Sequence, residues 1–199
     1  MNFEDIAKQA KNASLEMAEL TTEIKNQALL NIADAIEKNK EKIFEANKTD
    51  LEQAQDNVSP SVFNRLKLDE NKMRDMIQGI RDVVKLEEPI GKTLLARQLD
   101  EGLNLYKVSC PIGVIGIIFE ARPDVIAQIS SLAIKSSNAV ILKGGKESIN
   151  TNKTILGIIN SVLDNIKEFP KHALSQVFTH EDVAEMLKCD TYIDLIIPR

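Results

Sequence analysis

The sequence has no tryptophan, and only two tyrosines and six phenylalanines among its 199 residues. That leaves little with which to stack the bases of a single strand. Positive charge is not in excess either: the formal net charge is −5 and the isoelectric point is near 5.2. A nucleic-acid binder needs a basic face to displace counterions, so no nucleic-acid partner is expected. No run approaches the roughly 18 apolar residues of a bilayer span, so no membrane partner is expected. The start, MNFEDIAKQA, is acidic and helix-like, unlike a signal peptide with a basic end and an apolar middle. Cysteine is scarce: Cys110 and Cys189 stand 79 positions apart, with no CxxC and no Cys/His cluster. This argues against a disulfide framework and against a bound metal, and it leaves the cytoplasm as the default location. The phosphate-binding spacings GxGxxG and GxxxxGK[ST] are both missing.

What is present divides the chain into three parts. Residues 1–92 read as helices. Phe3, Ile6, Ala7, Ala10, Ala13 and Met17 recur at the three- and four-residue steps of one buried helical face. Thr22 is the expected cap of a second helix, along which Ile24, Ala28, Ile32, Ile36 and Ile43 continue one face. Asp69 is the expected cap of another, with Met73, Ile77, Ile80 and Val84 inward. Residues 93–110 read as a β-hairpin, TLLARQL and LNLYKVS joined by DEG. A two-stranded ribbon alone is marginal in water, so it should pack on another sheet or another subunit.

Residues 111–199 alternate between short apolar runs and amphipathic stretches: VIGIIF, then 124–137 with Val125, Ile129, Leu132 and Ala133 inward, then NAVILK. A long amphipathic segment with Ile155, Ile158, Ile159 and Val162 inward follows, then SQVFT, HEDVAEMLK and YIDLII. This rhythm predicts an α/β fold with a parallel sheet. Gly157 inside the long segment is read as a mark of close helix–sheet packing. The chain stops at DLIIPR after an apolar run, which suggests part of a longer protein.

In an open parallel sheet, ligands sit beyond the carboxyl ends of the strands. Two stretches fall there: FEARPD (Glu120, Ala121, Arg122, Pro123) and KGGKES (Lys143, Gly144, Gly145, Lys146, Glu147). Helix amino termini offer free N–H groups to an anion, glycines allow close backbone approach, and the lysines and Arg122 add positive charge. The same Gly-Gly turn also serves as ordinary punctuation between strand and helix, and Arg122 could simply brace its loop against a carboxylate. Cys110, Cys189, His172 and His180 read as structural or surface residues, and no nucleophile–base pair stands out.

The stretches PIGVIGIIFEARPDV, SSLAIKSSNAVILKGGKESINTN and YIDLIIPR closely resemble the gamma-glutamyl phosphate reductase family of the aldehyde dehydrogenase superfamily. IADAIEKNKEKIFEANKTDLEQA in the helical part resembles it too. The resemblance implies an aldehyde-dehydrogenase-like fold with a Rossmann-type sheet. Residues 1–92 would be the helical part of the cofactor domain, 93–110 an oligomerisation hairpin, and 111–199 an incomplete NADP-binding core. It implies reduction of L-glutamyl 5-phosphate by NADPH to L-glutamate 5-semialdehyde and phosphate, through a cysteine thioester, in a homo-oligomer paired through 93–109. Lys143, Gly144, Gly145, Lys146 and Glu147, with Glu120, Ala121, Arg122 and Pro123, would line the cofactor site. No catalytic residue is assigned, because the family's nucleophilic cysteine is expected beyond Arg199 and neither Cys110 nor Cys189 matches its context. A non-catalytic nucleotide-binding or interaction module is the alternative.

Overall fold

Asn2 opens the first helix with a reciprocal cap. Its side chain accepts from the Asp5 N–H while the Asp5 carboxylate accepts from the Asn2 N–H. In the computed structural model, which describes residues 2–198, this helix is α1 (Phe3–Met17), and the face expected from its spacing is the buried one. Helix α2 (Thr22–Lys38) starts one residue earlier than expected. Thr21 provides the cap oxygen, and the Thr22 hydroxyl donates instead to Glu88 at 2.9 Å. Asn39 then breaks what the apolar pattern reads as one continuous helix, and α3 (Lys40–Ala54) follows. Ser59 caps the short α4 (Pro60–Leu66), and Asp69 caps α5 (Glu70–Lys85) as expected, accepting from the Lys72 N–H.

Strands β1 (Thr93–Asp100) and β2 (Leu103–Val108) form the antiparallel ribbon, turning at Gly102 with a φ of +76°. Every residue of both strands is exposed, and within the described residues the ribbon joins no other sheet. The second sheet is parallel, with strands β3 (Val114–Ile118), β4 (Ala139–Lys143), β5 (Leu174–Val177) and β6 (Leu195–Pro198) in the order β5–β4–β3–β6. Its crossovers carry α6 (Val125–Lys135), α7 (Ile149–Leu163) and α8 (His180–Met186).

Side-chain alternation along the strands builds two cores. Val140 and Leu142 of β4 face one shared with α2, α5, α6 and α7; Ala139 and Ile141 face the other, with α1 and Met186 of α8. Two expectations need correction. Leu132 is 52% exposed, because α6 turns Ile126 and Ile134 inward beside the expected Val125 and Ala133. Gly157 is not a close contact: a Cβ there would meet nothing within 4 Å, since the residue lies on the open side of α7.

A buried polar cluster joins the helical part to the sheet. Lys25, only 2% exposed, donates to Glu88 at 2.7 Å and to the Ser137 hydroxyl at 3.0 Å. Lys135 beside it donates to Asn26 and to the Val84 carbonyl. Burial pushes the Glu88 carboxyl up, but donors from Lys25, Thr22 and the Ile90 N–H outweigh it and its pKa is lowered. Burial lowers the Lys135 ammonium, an effect the neighbouring Glu88 opposes. Among the described residues no helix is long and apolar enough to cross a membrane.

Candidate functional site

β3 and β4 end side by side. The Phe119 N–H donates to the Lys143 carbonyl at 3.0 Å, one residue past β3, and there the chains part into two loops. The Glu147 carboxylate ties those loops together by accepting from the Ala121 N–H at 2.7 Å. Ala121 has a φ of +33°, a conformation that costs on the order of 1 kcal/mol or more in a residue other than glycine and needs such a tether to persist. Gly144 is required by packing, since a Cβ there would run into the side-chain amide of Asn152 on α7. The glycine therefore admits the helix, whereas the sequence suggested that it admits an anion.

The start of α7 is already satisfied. Asp50 of α3, 2% exposed, accepts from the backbone N–H groups of Asn150 at 3.1 Å and Thr151 at 2.8 Å. Its carboxylate also accepts from the Asn150 amide at 2.8 Å and the Thr151 hydroxyl at 2.6 Å. A phosphate at this helix end would displace or meet a buried carboxylate, so the expected anion site at the α7 amino terminus is not what the fold builds. The cations of the turn remain available. Neither Lys143 nor Lys146 has an ion-pair partner among the described residues, and both line a groove of about 580 Å³. That volume lies within the ordinary range for small-molecule sites.

One wall of this groove joins Glu120 and Ala121 to Lys143, Gly145, Lys146 and Glu147. The residues missed in the sequence form the rest. Val58, Ser59 and Val62 come from the start of α4, and Phe178, Thr179, His180 and Glu181 follow β5. The Lys153 ammonium sits 4.5 Å from the centre of the Phe178 ring. The rule that points beyond the carboxyl ends of β3 and β4 would have found Phe178 to Glu181 as well, had it been applied to β5. Among the described residues no cluster of His, Cys, Asp and Glu could hold a metal.

Three candidate residues stand outside the groove. Gly144 and Pro123 are buried beside it. Arg122 turns to the other side of its loop, where its Nη2 donates to Asp124 at 2.7 Å, the bracing contact that the sequence left open. Asp124 holds that guanidinium firmly charged. Cys110 is exposed on a loop, while burial and the carboxylates of Glu4, Glu185 and Asp190 push the Cys189 thiol up.

The helix-flanked parallel sheet with a groove at its strand ends has the same fold as solved aldehyde dehydrogenases. A solved probable aldehyde dehydrogenase from Listeria monocytogenes superposes with a TM-score of 0.71 at 15% identity, over 98% of this chain and 40% of that one. PnpE, solved in complex with nicotinamide adenine dinucleotide, superposes with a TM-score of 0.72 at 18% identity, over 97% of this chain and 37% of that one. No protein-family model matches the chain.

Along its whole length the chain is similar to gamma-glutamyl phosphate reductases. It is 63% identical to the one from Brachyspira hyodysenteriae, over 100% of this chain and 47% of that protein. The crystal structure of the Saccharomyces cerevisiae enzyme superposes with a TM-score of 0.95 at 42% identity, covering 100% of this chain and 51% of that one. The chain thus spans about half the length of the curated relatives it matches.

Proposed function

We propose that this chain carries the cofactor-binding part of a cytoplasmic reductase that converts L-glutamyl 5-phosphate to L-glutamate 5-semialdehyde and phosphate with NADPH, in proline synthesis. The observation that carries this reading is the groove in which Lys143 and Lys146 stand unpaired beside the β3 and β4 loops, in a chain related throughout to gamma-glutamyl phosphate reductases. When bound, the nicotinamide supplies hydride. This chain's residues hold and orient it. Lys143 faces the adenosine ribose at the end of β4, and Lys146 adds a second cation. Glu120 and Ala121 complete the same wall, braced by Glu147.

Glu147 bears on the choice of cofactor. A free carboxylate at this edge would repel a 2′-phosphate, but this one is engaged by the Ala121 N–H. The two lysines then favour NADPH over NADH. No cysteine of the chain takes the nucleophile's role, so the chain alone turns over no substrate. The exposed ribbon of residues 93–109 pairs with a second copy in the assembled enzyme.

Fluorescence titration of the chain with NADPH and with NADH tests the reading. Saturable binding with NADPH preferred supports it. A folded sample that binds neither favours the alternative, a non-catalytic interaction module.

A further inference from the structure

The loop 119–124 has a cavity on each side. Glu120 and Ala121 face the groove described above, while Arg122 and Asp124 line a second cavity of about 510 Å³ that no sequence motif indicated. Its far wall comes from α4 and α5, which contribute Arg65, Lys72 and Asp75, with Met76 as apolar surface.

The charges there are mixed and incompletely paired. Arg122 gives two of its five N–H donors to the Asp124 carboxylate, which leaves three. Gln128 donates to the same carboxylate at 3.1 Å, so Asp124 is well satisfied. The Lys72 ammonium is turned onto the backbone carbonyls of Arg65 and Lys67. Arg65 and Asp75 line the one cavity, yet neither has an ion-pair partner among the described residues, and they do not pair with each other. A free guanidinium and a free carboxylate on one wall of the cavity, with spare Arg122 donors on the other, suit a ligand that carries both charges. A bare phosphate or a dicarboxylate would gain nothing from Asp75 and would be repelled by it.

We infer that this second cavity recognises the amino-acid head of the substrate. The α-carboxylate lies on Arg65 and the free N–H groups of Arg122, and the α-ammonium lies on Asp75. The inference rests on the reading that the enzyme acts on a glutamyl compound, and it makes Arg122 a substrate residue separate from the cofactor groove.

The test is a two-dimensional NMR titration of the nitrogen-15-labelled chain with L-glutamate, glutarate and inorganic phosphate, repeated on Asp75→Asn and Arg65→Gln. L-Glutamate should shift amides of residues 64–76 and 122–128 and leave 143–147 in place. Asp75→Asn should weaken L-glutamate about tenfold and tighten glutarate, because glutarate has no ammonium group and is relieved of the Asp75 charge. Arg65→Gln should weaken both. Glutarate or phosphate binding as tightly as L-glutamate, or Asp75→Asn leaving L-glutamate unaffected, would overturn the inference. NADPH titrated into the same samples separates the two claims. NADPH shifting 143–147 while L-glutamate shifts nothing removes this cavity's role and leaves the cofactor reading standing; silence from both removes both.

Discussion

Asp50 and Thr151 lie 101 residues apart and share a 2.6 Å hydrogen bond between carboxylate and hydroxyl, inside the fold. The same carboxylate takes the first free N–H groups of α7, so a side chain from the helical part fixes where the helix behind the Lys143 groove begins. Removing it leaves those donors buried without an acceptor. Asp50→Ala should cost roughly 2–3 kcal/mol in urea unfolding, and Asp50→Asn, which keeps one acceptor oxygen, about half of that.

The Lys25–Glu88 pair gives stability a pH dependence of known sign. The Glu88 pKa is lowered in the folded chain from its ordinary 4.5. Its contribution is therefore fully present above that value and is lost as pH falls through the lower, folded pKa. Thermal unfolding followed from pH 6 down towards pH 3 should show a falling midpoint, with the loss smaller in Glu88→Gln. At neutral pH that variant should be less stable by about 2 kcal/mol, since Lys25 remains buried without its counter-ion.

The ribbon exposes Leu94, Leu95, Leu99, Leu103, Leu105, Tyr106 and Val108. That much apolar surface on a two-stranded sheet calls for a partner. Leu99→Lys combined with Leu105→Lys should shift the chain towards monomer in light scattering and leave its circular dichroism unchanged. An unaltered mass distribution would place the contact elsewhere.

Glu147→Ala should loosen the tie between the two loops. Ala121 at a φ of +33° loses its acceptor, and NADPH affinity should fall about threefold to tenfold, with a loss of up to about 1 kcal/mol in stability. Isothermal titration and urea unfolding on one sample check both.

Local features were legible in the sequence because their causes are local. The Asp69 cap, the hairpin turn at Gly102 and the alternation of β3, α6 and β4 all follow from residues within a few positions of one another. The misses are long-range. Nothing near Asp50 announces that it will cap a helix beginning at Ile149, and nothing near Lys25 announces burial against Ser137. Leu132 looked inward because the apolar stripe of α6 is wider than the face it buries. At the candidate site, Lys143, Lys146, Glu120 and Ala121 were named correctly as neighbours, since strand ends in a parallel sheet must converge. Charge and the strand-end rule group Arg122 with them, but successive side chains of one loop can face different cavities, and its bracing of Asp124 is the alternative that the sequence left open. The part of the wall formed by Val58, Ser59 and Val62 depends on tertiary packing that no motif encodes.

The proposed function places NADPH in the groove at the end of β4, held through Lys143. Its most direct measurement is the NADPH dissociation constant of the chain beside that of Lys143→Ala, with circular dichroism confirming that both are folded. Saturable binding is expected, weakened about tenfold or more by the substitution, with the larger loss for NADPH than for NADH. Equal affinity in the two folded proteins would contradict it.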